Sequence, residues 1–224
     1  MIFGPVPVAQ AAGAVLAHSL GAPGLRLKKG RVLTGEDVAA LQAAGFEQVT
    51  VARLSDDDVA EDEAAAALGA ALAPDPMALG LSLAAPFTGR LNVYAMASGL
   101  LRVDAGLVGR VNAVHEAVTL ATLPDFARVA PRQMAATVKI IPYAAPRAAV
   151  EEAAAILRDG GPAMRLRPPR LRSATLILTR TPGMKESLLE KASAALRGRL
   201  AALSVEVAAE LRVPHEVGAA AHAL

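Results

Sequence analysis

The chain has 224 residues, of which 54% are hydrophobic and 3% aromatic, and its formal net charge is +2 at pH 7. This composition predicts one or two folded domains with an aliphatic core, and the scarcity of aromatic rings argues against nucleic-acid recognition by base stacking. The absence of cysteine excludes disulfides, thiolate metal sites and cysteine nucleophiles.

The first 25 residues carry no Asp, Glu, Lys or Arg. Prolines and glycines interrupt this stretch before it reaches the roughly twenty residues of a membrane-spanning helix. It also lacks the basic segment that opens a signal peptide. We therefore predict buried extended chain here, and a soluble, cytoplasmic protein with no membrane partner.

Residues 1–54 are predicted to form a strand, helix, strand unit. Thr34 and Asp37 have the spacing of a capping box at a helix start, and Gly45 is placed to end that helix in the left-handed conformation. The alternation at 49–51 predicts a strand after the helix.

Residues 55–160 are predicted to form a helix followed by a β-rich region. Ser55 is placed to cap an alanine-rich helix that runs toward Leu72. Six carboxylates at 55–63 allow a magnesium site. We favour the interpretation that these acids gather in the first helical turn because the positive end of the helix dipole stabilises them there. Further short apolar patterns predict strands at 81–83, 90–94, 99–103, 118–123 and 134–141, and helices at 105–114 and 149–158.

The strand and turn rhythm at 85–89 and 129–139 resembles that of barrel-sandwich domains of the lipoyl and biotinyl type. In those carriers a modified lysine sits at a hairpin tip. Lys139 instead lies inside a strand pattern, so we expect no prosthetic group on it.

Arginines alternate with apolar residues and prolines in the segment 161–172. Arg165, Arg167, Arg170 and Arg172 allow a groove for phosphates. The Pro168–Pro169 pair instead favours a solvated connector between domains, which is our prediction.

Residues 173–224 have the pattern of the first half of a doubly wound α/β domain. The apolar run 174–178 predicts a parallel strand buried on both faces, followed by a helix at 185–203, a strand at 205–211 and a turn at 214–216. The predicted fold class is thus mixed α/β and β, with a β-rich N-terminal and middle region before this partial domain.

The turn after the strand at 174–178 is the predicted ligand site. Thr179 and Thr181 offer hydroxyl groups, and Gly183 allows close approach to the backbone. Lys185 adds positive charge at a helix start that favours phosphate. His215 follows the next strand and is expected at the same sheet edge. The alternative is an ordinary turn whose threonines bond only to the backbone.

Common catalytic signatures are missing from the sequence. It contains no G-x-S-x-G, H-E-x-x-H, P-loop or G-x-G-x-x-G motif. His18, His115 and His222 have no second ligand at metal spacing, so we interpret them as packed or surface residues.

Three segments carry a family resemblance: GRVLTGEDVAALQAAGFEQVTV at 30–51, MAATVKIIP at 134–142 and TLILTRTPG at 175–183. They resemble segments of the molybdopterin-binding proteins and molybdopterin molybdotransferases of bacterial molybdenum cofactor biosynthesis. The resemblance implies that 173–224 begins an α/β domain that binds molybdopterin or its adenylylated form, with Mg²⁺ and molybdate at the transferase site.

Two departures bear on what this resemblance implies. The family's loop has a serine or threonine, a glycine and two acids, whereas residues 181–186 read TPGMKE. The family's glycine-rich serine loop and its later proline-glycine loop would come after Leu224. The sequence therefore leaves open whether the protein catalyses metal transfer to the pterin or only carries the pterin.

We accordingly predict a molybdopterin-binding protein that holds the phosphate or nucleotide of the pterin and assists molybdate insertion. The predicted ligand-binding residues are Thr179, Thr181, Gly183, Lys185, Glu186 and His215. Of these, Glu186 or His215 is expected to help place a metal.

Two other functions remain open from the sequence. One is a non-catalytic module that oligomerises or docks a molybdoenzyme or another cofactor-assembly protein. The other is a nucleotide-binding regulatory domain using the same turn. We expect a homo-oligomer and no nucleic-acid partner.

Overall fold

The computed structural model describes all 224 residues, Met1–Leu224. The protein is mixed α/β, with seven α-helices and six small sheets of two to four strands. None of the helices combines the length and apolar character needed to cross a bilayer.

The N-terminal unit packs one helix and a 3-10 turn against a three-stranded sheet. Its elements are β1 (Ile2–Pro7), a 3-10 helix (Val8–Gln10), β2 (Val15–Leu16), β3 (Leu20–Ala22), β4 (Leu25–Leu27), α1 (Gly35–Ala43) and β5 (Gln48–Arg53). β5 lies at the centre of the sheet and pairs antiparallel with β1 and β2, while β3 and β4 form a separate hairpin. Ten buried residues make its core, with Leu16, Leu33 and Leu41 almost completely enclosed.

The predicted capping box of α1 is confirmed. Thr34 Oγ1 accepts a hydrogen bond from the Asp37 N–H at 3.2 Å, and Asp37 Oδ2 accepts one from the Thr34 N–H at 3.0 Å. Arg31 Nε also donates to Asp37 Oδ2 at 2.8 Å, and this contact is the main reason that the pKa of Asp37 is lowered. Gly45 has the predicted left-handed backbone, with φ +82°.

The prediction that the first residues are buried is wrong for β1. Ile2 is 75% exposed and Phe3 is 54% exposed. β1 pairs with β5 alone, so it is an edge strand, and only part of its apolar surface is covered: Phe3 stacks on Tyr143 with 6.1 Å between ring centres, and Val6 packs against the core.

The middle unit contains two of the larger sheets and four of the helices. Its elements are β6 (Asp58–Ala60), α2 (Glu61–Leu72), α3 (Pro76–Leu79), β7 (Leu81–Leu83), β8 (Arg90–Ala95), β9 (Gly99–Val103), α4 (Ala105–Asn112), β10 (Val118–Thr122), β11 (Ala127–Val129), β12 (Met134–Ile140), β13 (Ala144–Pro146), α5 (Arg147–Asp159) and β14 (Met164–Arg167). The strands predicted in this region are confirmed to within one residue, and the helices α4 and α5 to within two. The helix predicted after Ser55 begins only at Glu61, and β6, α3, β11 and β13 have no counterpart in the sequence prediction.

The middle unit is not a barrel-sandwich, so that expectation is wrong. The strands form the four-stranded sheet β10-β12-β8-β7 and the three-stranded sheet β11-β9-β14, with β6 and β13 as a separate pair. α2 packs on β8 and β12 and against α5, where a barrel-sandwich would place a second layer of strands. Together these elements bury a core of 32 residues.

Ser55 does not cap α2, contrary to prediction. Its N–H and Oγ both donate to Asp58 Oδ2 at 2.8 Å, and the short strand β6 separates this turn from the helix. α2 begins at Glu61 with three acids in its first turn and no side-chain cap. This is the placement that the helix-dipole interpretation requires.

The predicted connector 161–172 contains the strand β14, so the connector prediction is wrong for Met164–Arg167. β14 pairs antiparallel with β9 because Met164 and Leu166 are buried in the core of the middle unit. Only 168–172 remains without regular structure between the middle and terminal units.

The terminal unit has the order strand, helix, strand, helix. Its elements are β15 (Ser173–Arg180), α6 (Glu186–Ala201), β16 (Glu206–Pro214) and α7 (Val217–Ala223). β15 and β16 pair in parallel, as predicted. The prediction that β15 is buried on both faces is wrong. Leu176 and Leu178 are buried but Thr175 is exposed, because a sheet of two strands does not have enough neighbouring elements to cover both of its faces.

The close contact between β9 and β14 makes Gly99 sensitive to substitution. A Cβ added at Gly99 would lie 2.5 Å from the Arg167 carbonyl oxygen, which is backbone and cannot move aside alone. We expect Gly99→Ala to lower the free energy of unfolding by about 1–3 kcal/mol in urea denaturation. Gly4→Ala is the control, because Gly4 also lies in a strand but has no atom within 4 Å of the added carbon. Equal stability of the two variants would contradict this packing.

Candidate functional site

The candidate site lies where β15 and β16 end. Because the two strands are parallel, their carboxyl ends meet at one sheet edge, where open α/β sheets bind ligands. The pairing extends past the strands, since the His215 N–H donates to the Arg180 carbonyl oxygen at 2.8 Å. The segments that follow the two strands are therefore held side by side.

A hydrogen bond joins two of the predicted residues across this edge. Thr179 Oγ1 lies 2.8 Å from His215 Nδ1. The contact restrains rotation of the imidazole ring, and it leaves Nε2 free to donate to or accept from a ligand.

The turn that follows β15 is shaped by Pro182 and Gly183. The Met184 N–H donates to the Thr181 carbonyl oxygen at 3.2 Å, with Pro182 and Gly183 as the two central residues and Gly183 at φ +81°. This is the arrangement of a type II turn, which favours proline at its second position and glycine at its third. No atom lies within 4 Å of where a Gly183 side chain would begin, so the backbone there is open to a ligand.

The turn and the end of β16 enclose a surface cleft of about 390 Å³. Its lining residues are Arg180, Thr181, Pro182, Gly183, Met184, Pro214, His215 and Glu216. Thr181, Gly183 and His215 are thus brought together as predicted, with Thr179 attached through His215.

The start of α6 offers backbone donors beside this cleft. Lys185 is the N-cap residue, and no side chain caps the helix. The N–H groups of Lys185, Glu186 and Ser187 make no hydrogen bond within the protein. Unpaired N–H groups at a helix start attract anions. The Lys185 side chain does not line the cleft itself.

Glu186 is turned away from the site, so its predicted role as a metal ligand is not supported. Its carboxylate is ion-paired with Arg212, which also donates to Glu210 Oε1 at 3.0 and 2.7 Å. Glu210 Oε2 in turn accepts from Ser193 and from Arg197, which lies 3.1 Å away. These five side chains form a network that fastens α6 to β16.

The network was missed by sequence reasoning. A signal was available, because Glu210 and Arg212 are two residues apart on β16 and thus point to one face, while Ser193 and Arg197 are four apart on α6. The hydroxyl of Ser193, followed by Arg212 and Arg197, lowers the pKa of Glu210 to about 2.

The cleft does not provide a cage for a divalent metal. It contributes one carboxylate, Glu216, and one imidazole, His215. No group of three or more His, Asp or Glu side chains in the protein could hold a metal ion. Mg²⁺ in proteins usually takes one or two carboxylates together with waters and substrate phosphates, so the protein alone does not make this site.

Acidification should destabilise the terminal unit, because Glu210 becomes protonated and its contacts weaken. A carboxyl whose folded pKa of about 2 lies below its ordinary 4.5 stabilises the fold above pH 4.5, and this stabilisation is lost as the pH falls toward 2. We expect the protection factors of backbone amides in α6 and β16, calculated with the intrinsic exchange rate at each pH, to fall over this interval in the native protein. Glu210→Gln should remove that pH dependence.

Glu206→Gln is the matched control, since Glu206 lies on the same strand, is exposed and has no ion pair. Its exchange profile should follow that of the native protein. Loss of the pH dependence in both variants would contradict the assignment to Glu210.

Comparison with known proteins gives one match, and it lies outside the cleft. Residues 5–53 match a family described as a domain of unknown function, DUF8806. No curated protein and no solved structure matches the chain. The matched residues cover nearly all of the N-terminal unit, from β1 to β5.

Proposed function

We propose that the terminal unit binds the phosphate-bearing end of molybdopterin, or of its adenylylated nucleotide, in the cleft at the ends of β15 and β16. The observation that carries this proposal is the Thr179–His215 hydrogen bond at 2.8 Å, at the edge where parallel strands present ligand groups. Two polar side chains far apart in sequence are thereby held in one place.

The donors around the cleft fit an anion. The free N–H groups of Glu186 and Ser187 lie at the positive end of the α6 dipole, and Lys185 adds a full charge next to them. The Thr181 hydroxyl and His215 Nε2 are available at the cleft wall. Each of these groups can donate a hydrogen bond to a phosphate oxygen, which supports an anionic rather than a neutral ligand.

The identity of the ligand rests on the family resemblance of residues 30–51, 134–142 and 175–183. On that basis we interpret the terminal unit as the first half of a doubly wound molybdopterin-binding domain. The protein's residues would hold the pterin phosphate and so present the pterin for molybdate insertion, and any Mg²⁺ would depend on the ligand phosphates for most of its coordination.

A co-purification experiment tests this function. The protein is purified from cells that make molybdopterin, and bound pterin is released, oxidised and measured by fluorescence. Thr179→Val should reduce bound pterin several-fold, up to about tenfold, because His215 loses the hydrogen bond that fixes its ring at the cleft, and such a bond is worth about 0.5–1.5 kcal/mol. Thr175→Val is the matched control on the same strand, exposed and away from the cleft.

Direct titration completes the test. Binding of isolated molybdopterin by the native protein at micromolar concentration supports the proposal. Equal pterin content of the Thr179→Val and Thr175→Val variants, or no binding of molybdopterin and its nucleotide, would contradict it.

A second function, oligomerisation or docking of a partner, is favoured by exposed apolar side chains on the terminal unit. Leu188 is 55%, Leu211 40% and Val217 89% exposed, and the two-stranded sheet has both edges free. Exposed apolar surface of this kind is typical of an interface. The homo-oligomer predicted from the sequence belongs to this proposal.

Leu188→Glu with Leu211→Glu separates the two functions. This exposed apolar surface has two faces, because Leu188 lies on α6 and Leu211 points to the sheet face opposite α6. If either face pairs two copies, the native protein is an oligomer by light scattering without any ligand and the double variant is a monomer. Pterin binding should survive in the variant, because neither leucine lines the cleft. A native protein that is already monomeric would rule out pairing of copies through this surface.

A further inference from the structure

The solvent face of the β11-β9-β14 sheet is almost entirely arginine. Its strands alternate between core and solvent, and the five side chains that point away from the core are Leu100, Arg102, Arg128, Arg165 and Arg167. The sequence allows a phosphate groove that includes Arg165 and Arg167 but favours a connector for them. It does not indicate that Arg102 and Arg128 share their face of the sheet.

The arginines face one another across the strands. Arg165 lies directly opposite Arg102, and Leu100 lies between Arg128 on one side and Arg167 on the other. Like charges in directly opposed positions destabilise a sheet. Arg128, Arg165 and Arg167 make no side-chain hydrogen bond or ion pair with the protein. The folded chain therefore leaves these three guanidinium groups without an ion-pair partner.

Arg102 is held in a fixed orientation. Its Nε donates to Asp125 Oδ1 at 2.9 Å, and its guanidinium carbon lies 4.2 Å from the centre of the Phe126 ring. Asp125 Oδ1 is itself held by the N–H groups of Val103 and Phe126 at 2.9 and 3.0 Å. The two terminal amino groups of Arg102 stay unpaired, and a pre-oriented pair of this kind binds phosphate with little loss of entropy.

A cleft of about 580 Å³ lies at this face. Arg102, Arg165 and Arg167 line it together with Asp104 and Asp125. The Asp104 carboxylate caps α4, because its Oδ1 accepts a hydrogen bond from the Leu107 N–H at 2.8 Å. The volume falls in the range of small-molecule sites, and the two acids at the border limit the positive area, which disfavours a long polyanion.

We propose that this face binds the phosphate group of a small phosphorylated ligand, with Arg102 and Arg165 as the main donors and Arg167 beside them. Leu100 and Phe126 are exposed next to these arginines and offer apolar surface to the organic part of such a ligand. The site is separate from the cleft at the ends of β15 and β16, and it does not depend on the function proposed there.

Calorimetric titration with inorganic pyrophosphate tests the site. The native protein should bind it, and affinity should fall as salt is raised because the screening length shrinks. Arg165→Gln with Arg167→Gln should weaken binding at least about tenfold. The unfolding midpoint of this variant should stay the same or rise, because opposed like charges are removed, so a loss of binding is not a loss of fold.

Two controls make the result specific. Arg26→Gln, at an exposed and unpaired arginine of the β3–β4 hairpin, should bind pyrophosphate like the native protein. Thr179→Val should also bind pyrophosphate at the arginine face like the native protein. A loss of pterin binding at the terminal cleft can therefore be distinguished from a loss of pyrophosphate binding at the arginine face.

Three outcomes would overturn the proposal. The first is no binding of pyrophosphate by the native protein. The second is an equal affinity change in Arg26→Gln and in the Arg165→Gln, Arg167→Gln variant, which would indicate general charge attraction. The third is tight binding of a single-stranded oligonucleotide without pyrophosphate binding, which would make the face a nucleic-acid surface.

Discussion

The parallel pairing of β15 with β16 determines where every polar group of the candidate cleft lies. It places Thr179 beside Val213 and Arg180 beside Pro214, so that the side chain of the next residue, His215, reaches the Thr179 hydroxyl. A parallel pair needs a crossover, and α6 supplies it. The network from Glu186 through Arg212 and Glu210 to α6 keeps the helix on the strands. A carboxylate that looked like a ligand in the sequence thus serves to hold the cleft together.

The two anion sites that we propose differ in how the protein prepares them. At the ends of β15 and β16 the donors combine backbone N–H groups at the start of α6 with the side chains of Thr181, Lys185 and His215, so the shape of the turn and the start of α6 matter more than net charge. On the β11-β9-β14 face the donors are guanidinium groups, and only Arg102 is anchored, by Asp125 and Phe126. The first site should discriminate ligands by fit, and the second should respond strongly to ionic strength.

Local signals predicted the local structure well. The spacing of Thr34 and Asp37 predicted the capping box, and the apolar alternation at 99–103 predicted β9 with its observed bounds. Two predictions that needed knowledge of a neighbour were wrong, although the parallel pairing of β15 with β16 was predicted correctly. Ser55 bonds Asp58 instead of capping α2, and Met164–Arg167 pairs with β9 instead of linking domains. In each case a partner that the local pattern could not reveal competed for the residue.

By itself, the sequence determined most of the longer helices and strands, the turn at Pro182–Gly183 and the polar residue types at the end of β15, because these depend on backbone preferences and on neighbours within a few positions. Tertiary structure decided which of those residues meet. It brought His215 to Thr179, turned Glu186 toward Arg212, and set Arg165 opposite Arg102 on a solvent face. Such contacts join residues up to 63 positions apart, and strand register and burial, which no local pattern encodes, place them together.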